Sequence, residues 1–199
     1  MNKTTTHIFP AQLPPGFSYL AKEPSFDPSR HLQLERPTQV RMLTEFGYDE
    51  DAVSRFASPV AMTSPVRVLS SEGVAAIREV VEALQDSAPR GTGTHEPIFN
   101  VACRSRFVRD LSLNPEITAF FAEHFSTSLI PHTMLHLQTQ MNLNSVALED
   151  SGHGWHHDIA AFAYVLMIHD PADIEGGHFE YFDGTREKAA ELLDSNDGL

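Results

Sequence analysis

The sequence predicts an α+β fold, and three observations predict it. The first part of the chain carries apolar residues at helical spacing. At Leu135 the texture changes to a period of two. Two runs rich in aromatic and branched residues then follow, the second behind a Gly176-Gly177 pair. With 199 residues, 41% of them hydrophobic and 21% charged, the chain fits one domain and can bury a substantial core.

Residues 1–37 read as an extended arm that packs on the domain, and residues 38–199 as the domain proper. Pro10, Pro14, Pro15, Pro24, Pro28 and Pro37 disfavour regular structure in the arm, while Phe17, Tyr19, Leu20 and Phe26 give it side chains to dock. Residues 38–46 are expected to form a short helix with Val40, Leu43 and Phe46 on one side, stopped by Gly47, and residues 49–56 add a further turn or two. The clearest helix starts at Ser70 or Ser71, either of which can cap it, with Glu72 complementing the positive helix end. Val74, Ile77, Val81 and Leu84 form its packing stripe, and the proline and glycines of residues 87–95 end it. A second helix begins with Asn114 as cap and Pro115 at its first position, burying Ile117, Phe120, Phe121 and Phe125.

In residues 135–143, Leu135, Leu137, Thr139, Met141 and Leu143 alternate with His136, Gln138, Gln140 and Asn142, which predicts a strand with one apolar and one polar face. The polar face either meets water at a sheet edge or lines a cavity inside a barrel. A further strand is expected over residues 160–168, then the glycine turn, an alternating strand over 178–182 and a short helix over 186–193.

The chemistry concentrates in Gly154-Trp155-His156-His157-Asp158. Eleven histidines are present, and five of them fall between positions 153 and 178. On a strand, His156 and Asp158 project to one face and His157 to the other. An imidazole nitrogen and a carboxylate oxygen converging in this way supply two members of a 2-His-1-carboxylate set, the arrangement that holds Fe(II) with coordination positions left open. Trp155 then walls the site, His153 sits in the loop before it, and His169 and His178 read as structural or solvent-facing.

Net charge and composition exclude other classes. A charge of −13 opposes nucleic acid and anionic membrane surfaces. Cys103 is the single cysteine, which precludes an intrachain disulfide and CxxC zinc sites, and its apolar neighbours favour packing over reactivity. The N-terminus lacks a long apolar stretch, and the longest apolar run, residues 159–168, is too short to span a bilayer, so a cytoplasmic location is expected. Neither HExxH, nor HxHxDH, nor GxSxG, nor a glycine-rich phosphate loop occurs; His153 and His156 share an HxxH spacing, but the Gly154-Trp155 between them suits a loop.

The residues 155–158, 162–170 and 175–182 together resemble the non-haem Fe(II)/2-oxoglutarate-dependent dioxygenases, closest to their prolyl-hydroxylase-like branch. The resemblance spans about residues 130–185. It implies a double-stranded β-helix, a jelly-roll of the cupin type present here in part, supported by the N-terminal helices. It implies His156 and Asp158 as iron ligands and catalytic residues, with Fe(II), 2-oxoglutarate and dioxygen as cofactor and co-substrates and a small-molecule or amino-acid-like substrate hydroxylated at an unactivated C–H bond. Gln138 and Asn142 are the candidates to hydrogen-bond the co-substrate. The chain departs from the family pattern after the glycine turn. His178 is the last histidine and Arg186 the last arginine, so the distal iron-ligating histidine and the base that grips 2-oxoglutarate have no counterpart. A fragment of a longer enzyme is the expectation; the alternative is a non-catalytic barrel remnant that binds a ligand or partner.

Overall fold

The computed structural model describes residues 9–87, 97–142, 162–169 and 180–194. The arm contains one helical turn, α1 (Pro28–His31). Asp27 caps it, accepting from the Ser29 amide at 3.0 Å, and Pro28 occupies a first-turn position where its missing N–H costs nothing. Its last residue, His31, is buried between Phe26 and Phe107.

Residues 38–46 correct the expectation of a helix. Strand β1 (Val40–Met42) is followed by a tight 3-10 turn, Leu43–Phe46, which Gly47 ends in the left-handed conformation at φ 90°. After α2 (Glu50–Val53), capped by Asp49 through the Ala52 amide, strand β2 (Val60–Thr63) returns antiparallel to β1, with Val40 opposite Thr63 and an irregularity between Arg41 and Met42. Branched Val40, Val60 and Thr63 favour extended backbone, and a partner strand is present to satisfy it. The apolar stripe that suggested a helix is instead met by burying Phe46, over whose ring the Arg41 guanidinium lies at 4.1 Å.

Helix α3 (Ser71–Ser87) follows the sequence closely. Ser70 is its cap, the hydroxyl accepting from the Gly73 amide at 3.0 Å. Ala76, Ile77, Val80 and Leu84 are buried, and Val74 and Val81 flank them. Gly73 lets α3 cross α1 closely: a Cβ there would stand 2.2 Å from the His31 carbonyl oxygen.

Strand β3 (Ile98–Phe99) leads into a 3-10 turn, Val101–Cys103, and then α4 (Arg106–Ser112) and α5 (Pro115–His124). Asn114 caps α5 as expected, its Oδ1 accepting from the Glu116 and Ile117 amides. Ile117 and Phe125 are buried, whereas Phe120 and Phe121, expected to be buried as well, are half-buried. The start of α4 is capped twice, by Ser105 and by Glu23 of the arm. The Glu23 carboxylate accepts from the Ser105 hydroxyl at 2.6 Å, the Arg106 amide at 3.0 Å, the Phe107 amide at 3.3 Å and the Arg106 guanidinium at 3.1 Å. Arg104 and Arg106 stack on Phe17 and Tyr19, so the arm is fastened by charge and aromatic contact as well as by Leu20 and Phe26 on the core.

The expected strand over 135–143 is corrected in its first half. Leu135–Gln138 form a helical turn, α6, and only β4 (Gln140–Met141) is extended and paired, antiparallel to β3. The reason is the partner. After β3, Asn100 adopts a left-handed conformation at φ 57° and the chain coils into Val101–Cys103, leaving no strand for residues 135–138 to join. Unpaired backbone then satisfies itself locally, and Leu and Gln are good helix formers.

Residues 162–167, expected as a strand, carry no regular secondary structure, and the same holds for residues 180–182. The final helix, α7 (Arg186–Asp194), matches its expectation. It is tied back to the start of the domain: the Arg186 amide donates to the Tyr48 hydroxyl, and Arg41 pairs with Asp183 at 3.0 Å.

The architecture is therefore mixed helix and strand, with β1–β2 and β3–β4 as separate antiparallel pairs and no closed barrel among the described residues. One core gathers Val68, Ile77, Val80, Leu84, Ile98 and Phe107 between α3, β3 and α4. Among the described residues no helix is long and apolar enough to cross a membrane.

Candidate metal centre

His156 and Asp158 lie outside the described residues, as do His153, Trp155, His157, the Gly176-Gly177 turn and His178. What is described is the ground on which the segment directly after the motif rests. The Phe162 ring meets Phe125 edge-on, their centroids 3.9 Å apart, and Tyr164 stacks on Phe121 at 5.0 Å. Leu166 and Ile168 pack against the core. The Ile168 carbonyl accepts from Arg78 Nε at 2.8 Å, tying the end of the segment to α3. Ala163, Val165 and Met167 are exposed, and so is Tyr164 despite its stacking on Phe121. The segment therefore meets α3 and α5 through Phe162, Tyr164, Leu166 and Ile168 with partial burial rather than a strict in-out alternation. The aromatic face of α5, legible as an apolar stripe, supplies the support.

Support for Phe125 comes from the loop just ahead of β2. Ser58, buried, donates from its hydroxyl to the Phe125 carbonyl at 2.6 Å and accepts from the Val60 amide at 3.0 Å. Ser126 follows in the left-handed conformation, and the Thr127 amide closes on the Ala122 carbonyl, which ends α5 beneath Phe162.

Gln138 and Asn142 are not presented alike. The Gln138 side chain turns inward: Nε2 donates to the His132 carbonyl at 3.1 Å, while Oε1 is buried with no hydrogen-bond partner. Asn142 is exposed, and its Oδ1 accepts from Gln140 at 3.1 Å. The His132 ring accepts the Met134 amide through Nδ1 at 3.1 Å. The uniform polar face read from the alternation is broken at α6. Among the described residues no three His, Cys, Asp or Glu side chains gather as a metal site.

Cys103 is buried in the turn before α4. Desolvation pushes its thiol above the ordinary range, opposed by the charge of Arg104, which leaves it a packing residue with little thiolate character. Glu23 is the side chain that sequence reasoning missed. Nothing near it in the chain signals a capping role, because the helix it caps lies more than eighty residues away, 82 at Ser105.

No protein-family model, curated protein or solved structure matches the chain.

Proposed function

We propose that the chain carries the first two iron ligands of an Fe(II)- and 2-oxoglutarate-dependent dioxygenase, which hydroxylates a small-molecule or amino-acid-like substrate on a jelly-roll scaffold. The observation that carries this reading is His156-x-Asp158, immediately ahead of an apolar segment that meets α3 and α5. The donor set fits the metal: a neutral imidazole nitrogen and a carboxylate oxygen suit Fe(II), and two ligands from one short stretch leave sites open for co-substrate. Iron bound with 2-oxoglutarate and dioxygen supplies the oxidant for an unactivated C–H bond. The chain's own share is to hold the metal through His156 and Asp158, to wall the site with Trp155 and to exclude water with the apolar segment that follows. The second reading is a barrel remnant that binds a ligand or partner without turnover.

Anaerobic Fe(II) titration of the chain, with 2-oxoglutarate consumption followed in parallel, separates the two. Wild type is expected to bind Fe(II), and His156→Ala and Asp158→Ala each to lose at least about tenfold in affinity, since even an outer hydrogen-bond partner of a metal ligand is worth that much. Affinity unchanged in either variant would sink the assignment. Iron binding with no 2-oxoglutarate consumption favours the remnant.

A further inference from the structure

We propose that α6 is a conformational switch, a helical turn in this state that converts to extended, solvent-facing backbone leading into β4 without a ladder partner of its own. Four observations converge on it. The turn interrupts a stretch that is otherwise extended: Met134 has φ −83° and ψ 113°, Thr139 has φ −149° and ψ 128°, and Gln140 and Met141 are in β4. Only Leu135–Gln138 must change backbone conformation to make residues 134–141 continuous. The turn is also weakly held, since four residues are below the length at which a helix sustains itself, and Met134 offers no side-chain cap. The residues themselves carry the period-two pattern of a strand, so local pattern and observed conformation disagree, and such conflicts concentrate where a protein changes state. Finally, the helical state leaves the Gln138 Oε1 buried without a donor, which disfavours that state and would be relieved by reorientation of the side chain.

Conversion has a definite consequence. In the extended state His136, Gln138, Gln140 and Asn142 fall on one face, two residues apart, giving a row of imidazole and amide groups for a polar ligand. In the helical state Gln138 leaves that row, its Nε2 donating to the His132 carbonyl. The switch does not depend on iron, so it stands or falls separately from the proposed function.

The test is backbone chemical shift and amide exchange at residues 135–138 in the full chain. Met134, 50% exposed, is replaced by Asp to supply the missing cap, and Leu135→Val with Leu137→Val raises strand preference while keeping both positions apolar. For the wild type the expectation is Cα shifts between the helical and extended values. M134D is expected to move them to helical and slow exchange about fivefold, the effect of one good cap. The valine pair is expected to move them to extended. Wild-type shifts that are fully helical, unmoved by either variant, with exchange as slow as at Val80 and Leu84 of α3, overturn the proposal. Should the valine pair fail to fold, the M134D response and the wild-type shifts decide alone.

Discussion

Replacing Glu23 with alanine tests how the arm is held. The carboxylate is 5% exposed and accepts four hydrogen bonds at the start of α4, from the Ser105 hydroxyl, two backbone amides and the Arg106 guanidinium. Glu23→Ala leaves the Ser105 hydroxyl, 0% exposed, and two helix-end amides without their acceptor. A hydrogen bond to a charged group contributes about 1.5–3 kcal/mol. The Arg106 side chain is 54% exposed and can rehydrate, so its ion pair is discounted to a few tenths. Counting the buried hydroxyl in full and the amides in part gives a loss of about 3–5 kcal/mol. For a chain of this size that corresponds to about 10 °C in Tm. Urea and thermal unfolding followed by circular dichroism provide the assay. Glu23→Gln, which keeps the shape and one acceptor, should lose about half as much. A Glu23→Ala variant within about 0.5 kcal/mol of wild type, the range of an ordinary surface substitution, refutes the idea that the arm is fastened by its carboxylate.

Three further outcomes are expected. Gly73→Ala forces a Cβ to 2.2 Å from the His31 carbonyl oxygen, and because the obstacle is backbone the helices must separate, at a cost of about 1–3 kcal/mol in equilibrium unfolding. Asp27 has its carboxyl held below the usual range, first by the Ser29 hydroxyl and then by the Ser29 amide, so its contribution is present above its unfolded pKa of 3.8 and is lost as pH falls through the folded value. The stability difference between wild type and Asp27→Asn should accordingly shrink on acidification below about pH 4, and a difference that grows there contradicts the cap assignment. Cys103, buried with its thiol pushed up, should resist alkylation at pH 8 until the protein is unfolded, and rapid native labelling would place it in a different environment.

What was legible in the sequence was local. Ser70 and Asn114 cap their helices, Pro115 opens α5 and Gly47 ends its turn, because a cap or a stop acts over three or four residues that are adjacent in the chain. His156 and Asp158 are singled out by their spacing together with the family resemblance, and they lie outside the described residues. Spacing alone misassigned residues 38–46, whose strand exists because β2 arrives some twenty residues later, and residues 135–138, which coil because β3 has ended beside them. Val80, 1% exposed, was left out of the α3 stripe because the width of a buried face is set by what packs on it. The sequence by itself determined where several helices start and the α+β character. Only the tertiary structure decided which extended segments are paired, that Glu23 completes a helix far along the chain, and that the Gln138 acceptor is buried without a donor. The physical reason is range: capping and periodicity are properties of consecutive residues, whereas strand pairing and the satisfaction of buried polar groups depend on partners that only folding brings near.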